Sequence, residues 1–359
     1  MPRDSRCTLC IVGLLAAAVS LTADAPAPRA PYDPGQHVTQ PTLFAPGVIS
    51  TDLDESGGVF SPDGRDFYLT LVAPYTTAPR FAMLVVSHFQ NGRWEVPQTL
   101  PFSGKSFDIA PHFNAEGTKL YFASVRPTHQ NKVPRLRIWV SERNADTWSE
   151  PAPLPAPINQ EENNNIDPAL ASDGSLYFAS DRQDPAGHLH IFFSRWDGSK
   201  FVAPEKLGPE INSEFSEVAP AISPDGKTLV FASSAAPEDP ERRRPQDLIA
   251  AGKPYPRQDL YISFKRDGHW TPARHLEHGI NTFAEEVYPA FSPDGKFLFW
   301  GSERSSFEIP TKPLDRAQID RLWSTPFNGR GNIFFISADV LADSNNAHPC
   351  PLSATAQLR

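Results

Sequence analysis

The chain has 359 residues, of which 38 are proline, and a formal net charge of −9 at pH 7. The length allows one large core or two domains, and proline in that number suits many short strands joined by turns. The acidic balance argues against nucleic acid as the main partner.

Residues 1–23 read as a secretory signal. Arg3 and Arg6 make a basic start, and residues 11–21 form an apolar run too short to span a bilayer comfortably. Ala23 is the expected last residue of the signal. Cleavage removes Arg3, Asp4 and Arg6, a net +1, and leaves the mature chain near −10. Cys7 and Cys10 leave with it. Cys350 then stands alone, so the mature chain has no internal disulfide and no cysteine-based zinc site. Residues 24–40, with Pro26, Pro28, Pro31 and Pro34, read as a Pro/Ala-rich linker. The folded domain is expected over 41–340, followed by a disordered tail over 341–359.

Residues 42–50 enter the fold and resemble segments that close later repeats, such as 204–212. Next comes a sentence written five times. Gly58-Val59-Phe60 leads into Ser61-Pro62-Asp63-Gly64, and Pro111-His112-Phe113 into Asn114-Ala115-Glu116-Gly117. Pro168-Ala169-Leu170, Pro220-Ala221-Ile222 and Pro289-Ala290-Phe291 lead into turns ending at Gly174, Gly226 and Gly295. Each copy reads as strand, tight turn, strand. Pro presets φ, Asp bonds the local backbone and Gly accepts positive φ. The turn acids at 63, 116, 173, 225 and 294 are spaced by 53, 57, 52 and 69 residues. Such a period fits one four-stranded propeller blade per repeat.

Third strands follow at 83–87, 138–141, 191–194 and 260–263. Fourth strands are expected to open on Trp94, Trp148, Phe201 and Trp270 and to run to Leu100, Leu154, Leu207 and Leu276. The fixed place of these aromatics favours packing between blades over sugar stacking. The fifth repeat has a long insertion, with helical spacing at Leu314, Ile319 and Leu322. Its third strand reads as 332–337, and no fourth follows. Residues 42–46 are expected to supply it and close the ring, which removes exposed sheet edges. The prediction is an all-β, five-bladed β-propeller, with six blades as the alternative if 303–331 hides strands.

Residues 291–302, 222–233 and 260–263 resemble the TolB-like, or WD40-like (PD40-type), propeller repeats of bacterial envelope proteins. The resemblance covers about 42–340. It implies a secreted or periplasmic binding or scaffolding module. TolB itself has an extra N-terminal domain for which this chain has no room, so a role in the Tol–Pal system is not implied. Related propellers occur joined to peptidase domains, but the sequence has no Gly-x-Ser-x-Gly nucleophile elbow.

Inner-strand starts and second-to-third loops share one face of a propeller. Both long insertions, about 236–257 and 303–331, belong to such loops, which makes this the expected functional face. Eight residues before each turn acid stand Glu55, Asp108, Asn165, Glu217 and Glu286. Asp167 adds a carboxylate, and Asp54 and Glu285 flank the column. Crowded acids need cations, hydrogen bonds or raised pKa values. Arg126, Arg182 and Arg304 occupy matching second-strand ends, whereas Ala73 and Ala235 stand there in repeats one and four. Two readings follow: a structural acid–arginine lattice, or a funnel for a cation or basic ligand. Glu55 and Glu217 are expected to lack a partner unless Arg242, Arg243 or Arg244 folds back onto Glu217. His112, His188 and His190 offer a weaker metal hypothesis, against which surface histidines are the simpler reading.

The function expected is protein or glycan binding in the periplasm or outside the cell, as a monomer without a membrane span. No cofactor is expected, although the acids leave room for a divalent cation at the channel mouth. The alternative is a carbohydrate-active hydrolase or lyase using carboxylates across the mouth.

Overall fold

The computed structural model describes residues 35–73, 81–127, 134–145, 147–235, 257–282, 284–306 and 312–342. The signal, most of the linker, the insertion over 236–256 with Arg242–Arg244, and the tail from 343 onward lie outside them, whereas Leu341 is described and buried. The described chain forms five small antiparallel sheets, one per repeat. Blade one holds Glu55–Phe60, Asp66–Val72 and Ala82–Gln90, and blade two Asp108–Phe113, Lys119–Ser124 and Arg137–Asn144. Blade three holds Asn165–Leu170, Leu176–Ser180 and His190–Ser194, and blade four Glu217–Ile222, Thr228–Ser233 and Asp259–Arg266. Blade five holds Glu286–Phe291, Phe297–Ser302 and Asn332–Ser337. Each inner strand packs on the next, and the first packs on the last, so the ring is closed.

The fourth strand of blade five comes from the other end of the chain. Thr42 pairs with Phe335 and Leu43 with Phe334. Phe44 follows directly and is buried against Phe60, Phe67, Trp94, Phe299 and Phe335. One ring thus joins blade five to blade one.

The turns behave as their chemistry requires. Ser61, Ser223 and Ser292 each donate to the turn aspartate at 2.6 Å, and Gly64, Gly226 and Gly295 take positive φ.

The fourth strands differ from expectation. Each is split in two. Trp94, Trp148 and Trp270 pair with the outer end of the third strand, and Phe201 bridges Trp196. The second piece pairs farther back, as in Gln98 with Val86 and Arg274 with Ile262. Pro97, Pro151, Pro204 and Pro272 fall between the two pieces. A proline lacks the N–H that a continuous ladder needs. Trp148 meets Tyr68 of blade one at 6.2 Å, and Trp270 meets Tyr177 of blade three at 6.4 Å.

Within the fifth repeat's insertion, Arg316–Trp323 is a helix, which we call α1. Asp315 and Gln318 form a reciprocal capping box at its start. None of its residues is buried.

Candidate functional site

The acidic column lies at the starts of the inner strands, but it does not line an open mouth. Glu55, Asp108, Asn165, Glu217 and Glu286 are all buried, at 3% exposure or less. Each anchors the loop that enters its blade. Thr51, Ser213 and Thr282 stand four residues upstream of a column glutamate. Each donates to that glutamate both its backbone N–H, at 3.1 Å, and its hydroxyl. The second strand adds Ser233 to Glu217 at 3.1 Å and Ser302 to Glu286 at 3.0 Å.

The arginines serve the same loops. Arg126 holds Asp108 with two bonds, at 3.0 and 2.8 Å, and donates to the Phe102 carbonyl. Arg182 donates to Asn165 and to the carbonyls of Pro157 and Ile158. Arg304 stands 3.6 Å from Glu286 and donates to the Gly279 and Ile280 carbonyls. The guanidinium planes lie over aromatic rings, Arg304 over Phe334 at 4.3 Å and Arg182 over Phe178 at 5.0 Å.

The structure corrects the expectation of a missing partner for Glu217, whereas Glu55 meets no arginine or histidine among the described residues. Glu217 meets His190 Nδ1 at 3.2 Å, and His190 Nε2 meets Asp184 at 2.8 Å. A histidine from the third strand of blade three takes the place that arginine holds elsewhere. The two carboxylates raise the His190 pKa, with Glu217 the larger influence. The bond to His190 holds the Asp184 carboxyl down at about 2. Among the described residues Glu55 has only Thr51 as side-chain donor, because Leu71 stands where Ser124, Ser180, Ser233 and Ser302 face the other column residues. Burial therefore pushes its carboxyl up to about 7.

The three histidines singled out from sequence are not brought together, and His190 is buried, not a surface residue. His188 and His190 sit beside Asp184, whereas His112 lies in the channel wall and bonds the Phe113 carbonyl at 2.9 Å. Among the described residues no three His, Cys, Asp or Glu side chains are grouped to hold a metal ion.

Two features were missed from sequence. The first is a loop clamp. Asn159, Asn212 and Asn281 each bond both the N–H and the C=O of a third-strand residue, namely Ile138, Ile191 and Leu260. Ser50 does the same for Ile333. The repeated Ile-Asn at 158, 211 and 280 was the available signal.

The second is a ring of β-bulges midway along the inner strands. Gly57, Ala110, Asp167, Ala219 and Tyr288 all have φ between 50° and 58°, and each blade's register shifts there. Pro111, Pro168, Pro220 and Pro289 follow four of them, so the repeated proline marks the bulge. Gly57 is needed because a Cβ there would lie 2.2 Å from that of Tyr288. These residues surround an axial cavity of about 30 Å³. Asp167 lines it, and its Oδ2 accepts the Ala219 N–H of the neighbouring blade at 3.0 Å.

The outer surface of the same face is uneven. Asn328 bonds the carbonyls of Asp52 and Trp323 at 3.0 and 3.1 Å, which ties the segment of Leu53 to the one that carries Trp323 and Phe327. Trp323 is 66% exposed and Leu53 48%. Nearby, burial pushes the Glu303 carboxyl up to about 7, with the charges of Glu285 and Asp54 adding to it. A wider groove of about 670 Å³ lies at the opposite end, against the turn acids Asp225 and Asp294.

No family model matches the chain. The uncharacterized peptidase YuxL of Bacillus subtilis (strain 168) is 22% identical over 219 residues, covering 57% of this chain and 31% of that protein. The chain thus spans about a third of that relative's length. Among solved structures, a putative TolB from Agrobacterium tumefaciens is 16% identical with a TM-score of 0.36, over 68% of this chain and 87% of its own. An alpha-L-arabinofuranosidase from Lactobacillus brevis is 13% identical with a TM-score of 0.46, over 81% and 92%. The periplasmic gluconolactonase PpgL of Pseudomonas aeruginosa is 14% identical with a TM-score of 0.38, over 69% and 65%. At these identities the likeness concerns fold alone. No helix among the described residues is long and apolar enough to cross a membrane.

Proposed function

We propose that this propeller is an exported, TolB-like binding module of the bacterial envelope, and that it takes a protein segment on the face where its inner strands begin. The observation that carries this reading is the patch of Leu53, Trp323 and Phe327 around the unburied helix α1. Exposed apolar and aromatic side chains on segments tied together at the Asp52 carbonyl, which Asn328 and Arg330 both bond, have the makeup of a docking surface. The column acids, by contrast, spend their oxygens on loop anchoring. The test places a photo-crosslinking residue at 323 and, as a control on the turn face, at 173. Exposure to envelope extract should give discrete protein adducts at 323 only. Equal labelling at both positions, or none at 323, would overturn the reading.

A second reading, carbohydrate hydrolysis, is favoured by one observation. Glu303, with its raised pKa beside Glu285, has the environment of a general acid. Glycoside turnover by the wild type that disappears in Glu303→Gln would support it. No turnover across a panel of aryl glycosides would remove it.

A further inference from the structure

Asp167 is the one charged member of the bulge ring. Gly57, Ala110, Ala219 and Tyr288 stand at its equivalent positions. The residue is 4% exposed, and no described group donates to its Oδ1. Its left-handed backbone, set by the bulge before Pro168, places the carboxylate at the axial cavity, bonded to the neighbouring blade four. Among the described residues no lysine or arginine lines the axial cavity. Its pKa is pushed up to about 7 by burial, the behaviour of a charge that its neighbours do not balance. His112, on the same wall, has its pKa pushed down to about 4 by burial and brings no positive charge.

We infer that the propeller binds one hard metal cation, calcium or sodium, on its axis through Asp167 Oδ1. The donor set favours these ions. One carboxylate oxygen, with water to complete the shell, suits a hard cation and not a thiophilic metal, and the Nδ1 of His112 on the same wall is already engaged by Phe113 and Leu170. A cavity of about 30 Å³ has room for one such ion or water position. The Ala219 bond already ties Asp167 to blade four. A cation on the other oxygen would therefore bear on the junction of blades three and four from inside the ring. This site is separate from the docking surface, so either can fail alone.

The mature protein would be stripped with chelator and exchanged into a sodium-free choline buffer. Calcium, sodium, magnesium and potassium would then be titrated separately while melting is followed. Calcium or sodium should raise Tm saturably by about 5 °C, and native mass spectrometry should show one calcium or sodium per chain. Asp167→Asn should abolish both responses, while Glu55→Gln, whose oxygens serve the loop, should keep them. An unchanged melt with every cation overturns the inference, as does a response that survives in Asp167→Asn. A response confined to magnesium or potassium overturns the assignment to calcium or sodium. If Asp167→Asn does not fold, the wild-type adduct decides: its absence means that the carboxyl is protonated or bound to water alone.

Discussion

The inner strands carry two five-membered columns, and they differ in how their polar atoms are used. At the strand starts, Glu55, Asp108, Asn165, Glu217 and Glu286 receive hydroxyls, backbone N–H groups, arginines or a histidine. Two residues further along each strand, the bulge column is small or aromatic in four blades and carries one carboxylate, Asp167, with an oxygen no described donor reaches. A polar residue repeated in every blade is answered by repeated partners, since burial without them is costly in each copy. A polar residue that occurs once has no such set. Within a repeat architecture, the exception is therefore the better functional clue.

The largest expected effect tests closure, on which both columns depend. Deleting residues 41–50 removes the last strand of blade five and Phe44, and should give aggregation on gel filtration. Phe44→Ala alone should cost about 3–5 kcal/mol by denaturant unfolding. A truncated chain that stays monomeric with unchanged melting would contradict the closure argument.

Next comes the member of the first column that holds an arginine with two bonds. Asp108→Ala leaves the Arg126 guanidinium without its bidentate partner, and should destabilise by about 3–5 kcal/mol. A loss under about 1 kcal/mol would mean that Phe102 and the rings around Arg126 hold the loop without the carboxylate.

The histidine member should respond to pH. His190 has a raised folded pKa, so its contribution is complete below the unfolded value of 6.5 and is lost as pH rises through the folded value. Wild-type melting should therefore fall through that window relative to His190→Gln. Parallel melting curves from pH 5 to 9 would show that the Asp184–His190–Glu217 chain carries no proton-linked stability.

The smallest effect is expected at Glu55. Its carboxyl is raised from 4.5 to about 7, so the folded state holds its proton more tightly and wild-type stability declines as pH climbs between those values. Glu55→Gln should remove that slope. It should match wild type within about 1 kcal/mol at pH 4 and equal or exceed it at pH 8. A variant less stable at pH 8 than wild type would show that the ionised form is the one the Thr51 donors favour.

By itself the sequence determined the blade count, the turns, the closing role of residues 42–46 and the face on which the inner strands start. These follow from local chemistry copied five times: a Ser–Asp–Gly or related turn and two apolar strands define a blade wherever they recur. It also brought Arg126 to Asp108 and Arg304 to Glu286, because equal positions in equal repeats meet equal neighbours. Tertiary structure alone decided what the departures from the repeat do. His190 is remote from Glu217 in sequence and from a different strand position than the arginines, so only packing of blade three on blade four reveals it as the partner. The split fourth strands depended on where each proline fell against its neighbour's ladder. The bulges turned Asp167 onto the axis, since one extra residue reverses which way a strand side chain points.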